Sequence, residues 1–335
     1  MDELLKLRKN WQRIVAKYQN PQRSKSIGQL CNTLIPYIIL WGLMAASLKV
    51  SYWLTLALAV VAGGFLVRLF IIFHDCGHRS FFKSEKANRF WGYITGVLCF
   101  TPTDYWWSEH SRHHATAGDL DHRGVGDVWT MTVEEYLQAT RWTRIKYRFA
   151  RNPVCLFLIA PAFLFLVVHR FPRKIKAGRS VQSVHATNLG ILLTAAALSL
   201  GLGLKSYLMI QLPVVIVAAS AGVWLFYVQH QFEGVYWERN PKWDYFTEAL
   251  KGSSFYKLPR VLQWFTGNIG YHHVHHLSPR IPNYFLERCH KEAQFSKAVK
   301  AVTFLASLKS LTFRLWDEQH GRLVGFGYLK KLKYA

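Results

Sequence analysis

The sequence predicts an all-α integral membrane protein, with four transmembrane helices in two hairpins and a helical cytosolic cap holding a di-metal site. Three observations predict it. Long apolar stretches alternate with strongly basic ones, so a chain with 51% hydrophobic residues has a mean hydropathy of only +0.05. Four of the stretches reach the length of about 20 residues that a bilayer demands. Nine histidines fall in three tight groups.

Residues 27–50 and 51–73 are adjacent spans, interrupted only by the turn at Lys49 to Ser51. Arg68 is near enough to the second helix's end to snorkel. Residues 183–204 and 206–228 form a second pair, joined around Lys205. Residues 91–103 are too few to cross. Residues 153–169, with Pro161 inside, are marginal. Arg141, Arg144, Lys146, Arg148 and Arg151 precede that stretch, and Arg170, Arg173, Lys174, Lys176 and Arg179 follow it. Positive charge on both flanks puts both in the cytosol, so the stretch dips in or lies at the interface. Parity agrees: a fifth crossing would put the last histidine group on the wrong side. One domain is expected over residues 1–335: a basic N-terminus (1–26), a hairpin (27–73), a cap (74–182), a second hairpin (183–228), then cap and C-terminus (229–335).

Lys and Arg number 42 against 19 Asp and Glu, a formal charge of +23. Such an excess suits nucleic acid, an anionic membrane face or an acidic protein. No compact DNA-reading pattern appears, and the basic residues flank apolar stretches, so the membrane is preferred and nucleic acid is not expected. Cys31, Cys76, Cys99, Cys155 and Cys289 are scattered and read as reduced thiols. The charged N-terminus lacks a signal-peptide core and is expected to stay cytosolic, as a basic helix on the membrane surface. Both termini and the histidines are then cytosolic in a multi-pass cell-membrane protein.

The histidine groups carry the chemistry. They are His74-Asp-Cys-Gly-His78, His110-Ser-Arg-His113-His114 and His272-His273-Val-His275-His276. Positions i, i+3 and i+4 share a helix face, so all but His273 can converge within their groups; His273 is assigned a supporting position. One such pair alone is ordinary. Two HxxHH groups plus an HxxxH are not, because burying so many imidazoles without metal leaves ring nitrogens unsatisfied. Eight aligned histidines exceed the four ligands of a tetrahedral zinc and suit two ions of higher coordination. Imidazole alone does not choose among zinc, copper and iron. His230, just past the fourth span, is a ninth ligand by position. Asp75, Asp119, Asp127 and Glu233 are expected to accept ligand ring N–H groups; Glu109 and Asp121 are as readily solvated loop acids. Asn268 precedes the third group by one turn and is placed to bond a metal-bound water.

With these groups in place, the chain resembles the membrane fatty acid desaturases, which carry HxxxH, HxxHH and HxxHH boxes in this order. The stretches Phe73-His-Asp-Cys-Gly-His-Arg-Ser-Phe-Phe82, Ser253-Ser-Phe-Tyr-Lys-Leu-Pro259 and Gly267-Asn-Ile-Gly-Tyr-His-His-Val-His-His-Leu-Ser-Pro279 are most similar to bacterial acyl-lipid enzymes of delta-5 type. The similarity runs over most of the chain, residues 20 to 290. It implies two non-haem irons on His74, His78, His110, His113, His114, His230, His272, His275 and His276. It also implies O2 as co-substrate and a cis double bond placed in phospholipid acyl chains. Phe226 stands where acyl-CoA relatives carry an asparagine that supports a metal-bound water. The chain has no His-Pro-Gly-Gly haem motif, so electrons are expected from a separate ferredoxin or flavodoxin.

Trp106, Trp107, Trp224, Phe226, Tyr227 and Trp264 are available to line an acyl channel, although any one suits an ordinary core or interface. Two other readings compete. Lipid or carotenoid hydroxylases and ketolases use similar boxes and give an oxygenated product. A histidine-rich metal transporter would set its ligands at mid-membrane on broken helices, whereas the spans here hold almost no ionisable residues.

Overall fold

The computed structural model describes residues 2–172, 178–293, 295, 299 and 301–332. Arg173, Lys174 and Lys176 of the second basic flank lie outside the described residues. Helix α1 (Asp2–Ala16) precedes four helices long and apolar enough to cross a membrane: α2 (Arg23–Ser47), α3 (Tyr52–Gly77), α9 (Arg179–Leu202) and α10 (Leu204–His230). At a rise of about 1.5 Å per residue each exceeds the roughly 30 Å hydrocarbon layer. Each pair is a hairpin. A four-residue turn joins α2 to α3, and Gly203 alone joins α9 to α10 at φ +84°, a conformation glycine takes without a Cβ penalty.

The second helices of the two hairpins pack closely. A Cβ on Gly63 of α3 would meet Val217 Cγ1 of α10 at 2.6 Å, so the absent side chain sets their approach. Their C-terminal ends therefore meet, and these ends carry His74 and His230. The start of α9 lies at the same level. There, Ser183 Oγ accepts from the Tyr105 amide at 3.1 Å, and Ser180 Oγ donates to the Asp104 carbonyl at 3.4 Å. Both of these partners begin α5 (Thr103–Thr116), which follows α4 (Glu85–Leu98).

The chain between α3 and α9 thus leaves and returns on one side. Within it come α6 (Val133–Gln138) and the basic helix α7 (Arg141–Ala150), whose Trp142, Ile145 and Phe149 are exposed. A 61° bend then leads to a π-turn at Cys155–Ile159, helix α8 (Ala160–Leu166) and a 3-10 turn at Val168–Arg170. These 16 residues span about 24 Å at the α-helical rise. The described residues thus hold four helices long and apolar enough to cross a membrane, or five spans if this bent pair is one.

The cap is completed by α11 (Tyr245–Thr247), α12 (Arg260–Phe265), α13 (His272–Leu277) and α14 (Asn283–Glu292). Two small sheets, unforeseen in the sequence, brace it. The strands β1 (Met131–Thr132), β4 (Leu315–Asp317) and β5 (Arg322–Val324) lie in the order β1-β4-β5. The other sheet pairs β2 (Phe255–Lys257) in parallel with β3 (Ala301–Thr303). Helix α1 is helical as expected and packs on the cap: Trp11 lies against Tyr245 and Phe246, and Arg8 pairs with Asp244 at 2.6 Å.

Two buried arginines tie spans to cap. Arg68 does not snorkel. It is buried, donates from Nε to Thr33 Oγ1 at 3.1 Å and from Nη1 to the Trp264 carbonyl, and stacks 4.0 Å over the Trp264 ring. The cap covers this helix end and supplies acceptors that solvent would otherwise provide. Arg151, 1% exposed, donates to Gln231 Oε1 at 2.6 Å and to Tyr227 Oη and the Phe313 carbonyl, both at 3.1 Å. Replacing Arg151 with methionine strands these acceptors. It should cost about 3 kcal/mol or more, read as a lower thermal-unfolding midpoint in detergent.

Candidate metal centre

Four elements bring nine histidines together. The end of α3 supplies His74 and the C-cap His78; α5 supplies His110, His113 and His114; the end of α10 supplies His230; α13 supplies His272, His275 and His276. Helix α13 is seated by strand β2, where the Tyr256 amide donates to the Gly270 carbonyl at 2.7 Å. A Cβ on Gly270 would stand 2.4 Å from the Tyr256 carbonyl, so glycine is needed at that seat.

The nine fall into two groups. His74, His78, His110, His114 and His275 form one; His113, His230, His272 and His276 form the other. Within each group the ligand atoms lie within 4.8 Å of one another. Adjacent helix residues His113 and His114 go to different groups, so α5 lies between the two positions.

The nitrogen chemistry fits metal ions. His74 and His113 donate from Nδ1 to Asp75 at 3.0 Å and Asp127 at 2.6 Å, and His276 Nδ1 faces Glu248 Oε2 at 3.3 Å. Their Nε2 atoms then carry lone pairs. Even so, His74 Nε2 lies 3.0 Å from His275 Nε2, and His113 Nε2 lies 3.1 Å from His230 Nε2. Further Nε2–Nε2 distances are 2.9 Å for His275–His114, 3.1 Å for His114–His110 and 2.9 Å for His272–His230. A neutral imidazole has one N–H to give. His78 Nε2 and His276 Nε2 are buried without any partner, as are the Nδ1 atoms of His114, His272 and His275. Ligands about 2.1 Å from one cation at right angles stand about 3 Å apart, which matches this spacing.

Burial, followed by neighbouring imidazoles, holds His78, His110, His114, His272, His275 and His276 well below the usual histidine range. They are neutral at pH 7, as metal ligation requires. The same shifts fix a pH dependence of the metal-free protein. Below about pH 6.5 the unfolded chain takes up protons that the folded site refuses, so stability is full above that pH and falls as pH drops. Each such imidazole contributes a slope of up to about 1.4 kcal/mol per pH unit. The unfolding midpoint of apoprotein should therefore fall steeply between pH 7 and pH 5, a result checked by thermal scans in detergent.

Not every expected supporting residue lies where the sequence put it. Asp75 and Asp127 hold ligand rings; Asp75 also accepts the Asn283 amide at 2.7 Å and its Nδ2 at 2.8 Å. Asp119 instead accepts from His122 Nδ1 at 2.7 Å, outside both groups. Glu233 is exposed and pairs with Lys309 at 2.5 Å, because α10 ends at His230 and the chain turns outward at Gln231. His273 faces His290, with 2.8 Å between Nε2 and Nδ1. Asn268 sits in a turn at φ +59° and donates from Nδ2 to the Asn283 carbonyl at 3.4 Å. Asp121 pairs with Arg239 at 2.5 Å. Phe226 lies beside the second group, 5.0 Å from His113 and 5.3 Å from His230 between ring centres.

Glu248 was not foreseen. Fully buried on the π-turn Glu248–Gly252, it accepts from Ser253 Oγ at 3.0 Å, and burial pushes its carboxyl up to about 8. A lone glutamate far from any box carries no sequence signal. Its partner His276 pointed to a carboxylate but not to which one.

An apolar cavity of about 780 Å³ reaches from among the spans to this centre. His74, His110 and His272 line its inner end, with Trp106 and Phe226; Tyr227 lines a smaller cavity of 380 Å³ next to it. Of the other aromatics, Trp107 lies between α3 and α4, Trp224 packs on Phe157, and Trp264 covers Arg68.

The profile of the family described as fatty acid desaturase matches residues 51–304. The chain belongs to the fatty acid desaturase family. It is 50% identical over 318 residues to a fatty acid desaturase of Bacillus subtilis, covering 95% of this chain and 90% of that one. It is 26% identical over 290 residues to an endoplasmic reticulum omega-3 fatty acid desaturase of Vigna radiata, covering 80% and 72% of the two chains. An sn-1 oleoyl-lipid 12-desaturase of Anabaena variabilis is 26% identical over 277 residues, covering 77% and 74%. The chain is thus a multi-pass membrane desaturase, an oxidoreductase whose histidine boxes build a di-metal site. The transporter reading fails on geometry as well: the nine histidines converge at the span ends instead of lining a path through the spans.

Proposed function

We propose that this desaturase places a cis double bond, of delta-5 type, in acyl chains of membrane phospholipids, using two irons held by the nine histidines. The observation that carries the reading is the apolar cavity, which ends on histidines of both groups. Its volume falls within the roughly 300–1,000 Å³ of small-molecule sites. His74, His78, His110, His114 and His275 would hold one iron, and His113, His230, His272 and His276 the other. A bound iron pair supplies the reduction of O2 and the removal of hydrogen from two adjacent methylenes.

The chain's residues do the rest. Asp75 and Asp127 fix the tautomers of their histidines and leave Nε2 as the donor atom, and Glu248 orients the His276 ring it faces. The cavity walls, with Trp106 and Phe226 at the inner end, align a methylene pair beside the histidines and exclude water. Per double bond, one CH2–CH2 unit, one O2, two electrons and two protons give one CH=CH unit and two waters. The two electrons come from a carrier of ferredoxin or flavodoxin type.

The whole chain acts as one desaturase domain, with both termini and the centre on the cytosolic face of the cell membrane. The basic flanks of the bent segment support that orientation. The test is gas chromatography–mass spectrometry of derivatised fatty acids from an expressing host. A new delta-5 double bond in phospholipids is expected. Unchanged lipids from an iron-loaded, reduced enzyme would sink the reading, and an oxygenated product would favour the hydroxylase alternative.

A further inference from the structure

Under the proposed reaction, on which this inference rests, the acyl chain starts in the bilayer, and the cavity needs a mouth that opens there. Two side chains mark one. Phe149 of α7 and Phe163 of α8 both line the cavity, yet they are 66% and 57% exposed. Side chains that line a cavity and still reach the outside stand at its rim. Ala150 and Arg151 continue the lining from Phe149.

Helix α7 has the form of an element that lies in a headgroup layer. Its exposed Trp142, Ile145 and Phe149 recur at spacings of three and four, so they make one apolar face. Tyr147, two positions from both Ile145 and Phe149, points the other way and is buried on the cap. Its Oη accepts from the Met131 amide at 3.1 Å and donates to the Arg314 carbonyl. Arg141, Arg144, Lys146 and Arg148 make α7 strongly basic, and it holds no acid. Such a helix is barred from hydrocarbon, where cations are costly, and suits the interface with anionic lipid. Arg151, just past its end, bonds Tyr227 and Gln231 and so sets α7 level with the end of α10. Beyond the bend, exposed Val154, Leu158 and Ile159 continue the apolar surface, while Phe157 packs on Trp224 and Tyr227 of α10.

One cation belongs to the mouth. Arg144 is tied to the Ala139 carbonyl at 2.9 Å, and Arg148 to Tyr136 Oη at 2.6 Å. Lys146 is exposed, and the cavity-lining Phe149 and Ala150 follow it at i+3 and i+4, beside it on the helix. The acids of the neighbouring α6 are engaged elsewhere: Glu134 accepts from Gln138 Nε2 at 2.9 Å, and Glu135 pairs with Arg123.

We propose that α7 lies in the headgroup layer and docks the phosphate of an anionic phospholipid at Lys146, while the lipid's acyl chain enters the cavity past Phe149. A zwitterionic head is disfavoured, because it brings its own cation to a helix that already carries four.

The test uses iron-loaded enzyme in phosphatidylcholine nanodiscs, with a fluorophore on Ile145→Cys. The background is Cys31→Ala, since Cys31 is exposed and the other four cysteines are buried. A nitroxide near the ester of added phosphatidylglycerol should quench the label more than the same nitroxide on phosphatidylcholine, and aqueous iodide should quench it weakly. Lys146→Glu should cut that preference about fivefold or more, and should raise KM for phosphatidylglycerol with kcat unchanged. Lys86→Glu on α4, an exposed cation outside the cavity lining, should do neither. Strong quenching by iodide, protection from both quenchers, equal quenching by the two lipids, or a preference or KM unmoved by Lys146→Glu would each overturn the proposal. Docking is read without turnover, so a wild type that shows it yet forms no double bond sinks the desaturation reading alone.

Discussion

Replacing His275 with alanine should abolish the double bond and leave the protein in the membrane. His275 is fully buried, and its Nε2 lies 3.0 Å from that of His74 and 2.9 Å from that of His114. It is the only member of the five-histidine group from α13, so it joins the third box to the first two. Without it the remaining four ligands come from α3 and α5 alone, and nothing on the α13 side fixes their distance. The expected loss exceeds the roughly 10–100-fold that removal of a supporting residue costs, and metal content should fall from two ions per chain. His273→Ala is the matched control, since it alters the neighbouring box residue but acts on His290. It should keep both metals and most activity. Elemental analysis with fatty-acid profiling reads both variants. Near-normal activity in the His275 variant would contradict the ligand assignment.

That contrast within one box was visible in the sequence, because helical spacing alone separates His273 from His272, His275 and His276. The spans were equally legible: a bilayer-length apolar run is a local property, and the helices begin and end within a few residues of the expected positions. What sequence could not give was the sharing of histidines between two positions. His113 and His114 are neighbours on α5, and only the packing of α10 and α13 on either side sends them apart. The supporting carboxylates divide for the same reason. Asp75 is adjacent to His74 and follows it wherever α3 goes. Asp119 and Glu233 sit on turns beyond their helices, where they meet Asn240 and Lys309, remote in sequence. Glu248 reaches His276 only because a π-turn, itself held by Ser253, folds under α13. Arg68 reads as a snorkelling residue until the cap is known to cover it.

The cavity offers a second large effect, and Gly222 is the place to produce it. Val215, Ala218, Gly222, Phe226 and Gln229 recur at spacings of three and four along α10 and all line the cavity, so they form one face of that helix. The small side chains at 218 and 222 leave room for an acyl chain. Gly222 lies eight residues before His230, about 12 Å deeper among the spans. A Cβ there meets nothing within 4 Å. Gly222→Phe therefore meets no obstacle at its Cβ, and the loss of a mid-helix glycine should raise helix stability by about 0.5 kcal/mol or less. The ring would occupy the space that a long chain needs on the membrane side of the centre. Conversion of the longest acyl chains should fall at least about tenfold, the scale on which a filled hydrophobic pocket discriminates, and shorter chains should be spared. Metal content should not change, which separates a blocked channel from a damaged centre. A wild-type product profile would mean that this face of α10 looks onto lipid and that the chain runs elsewhere.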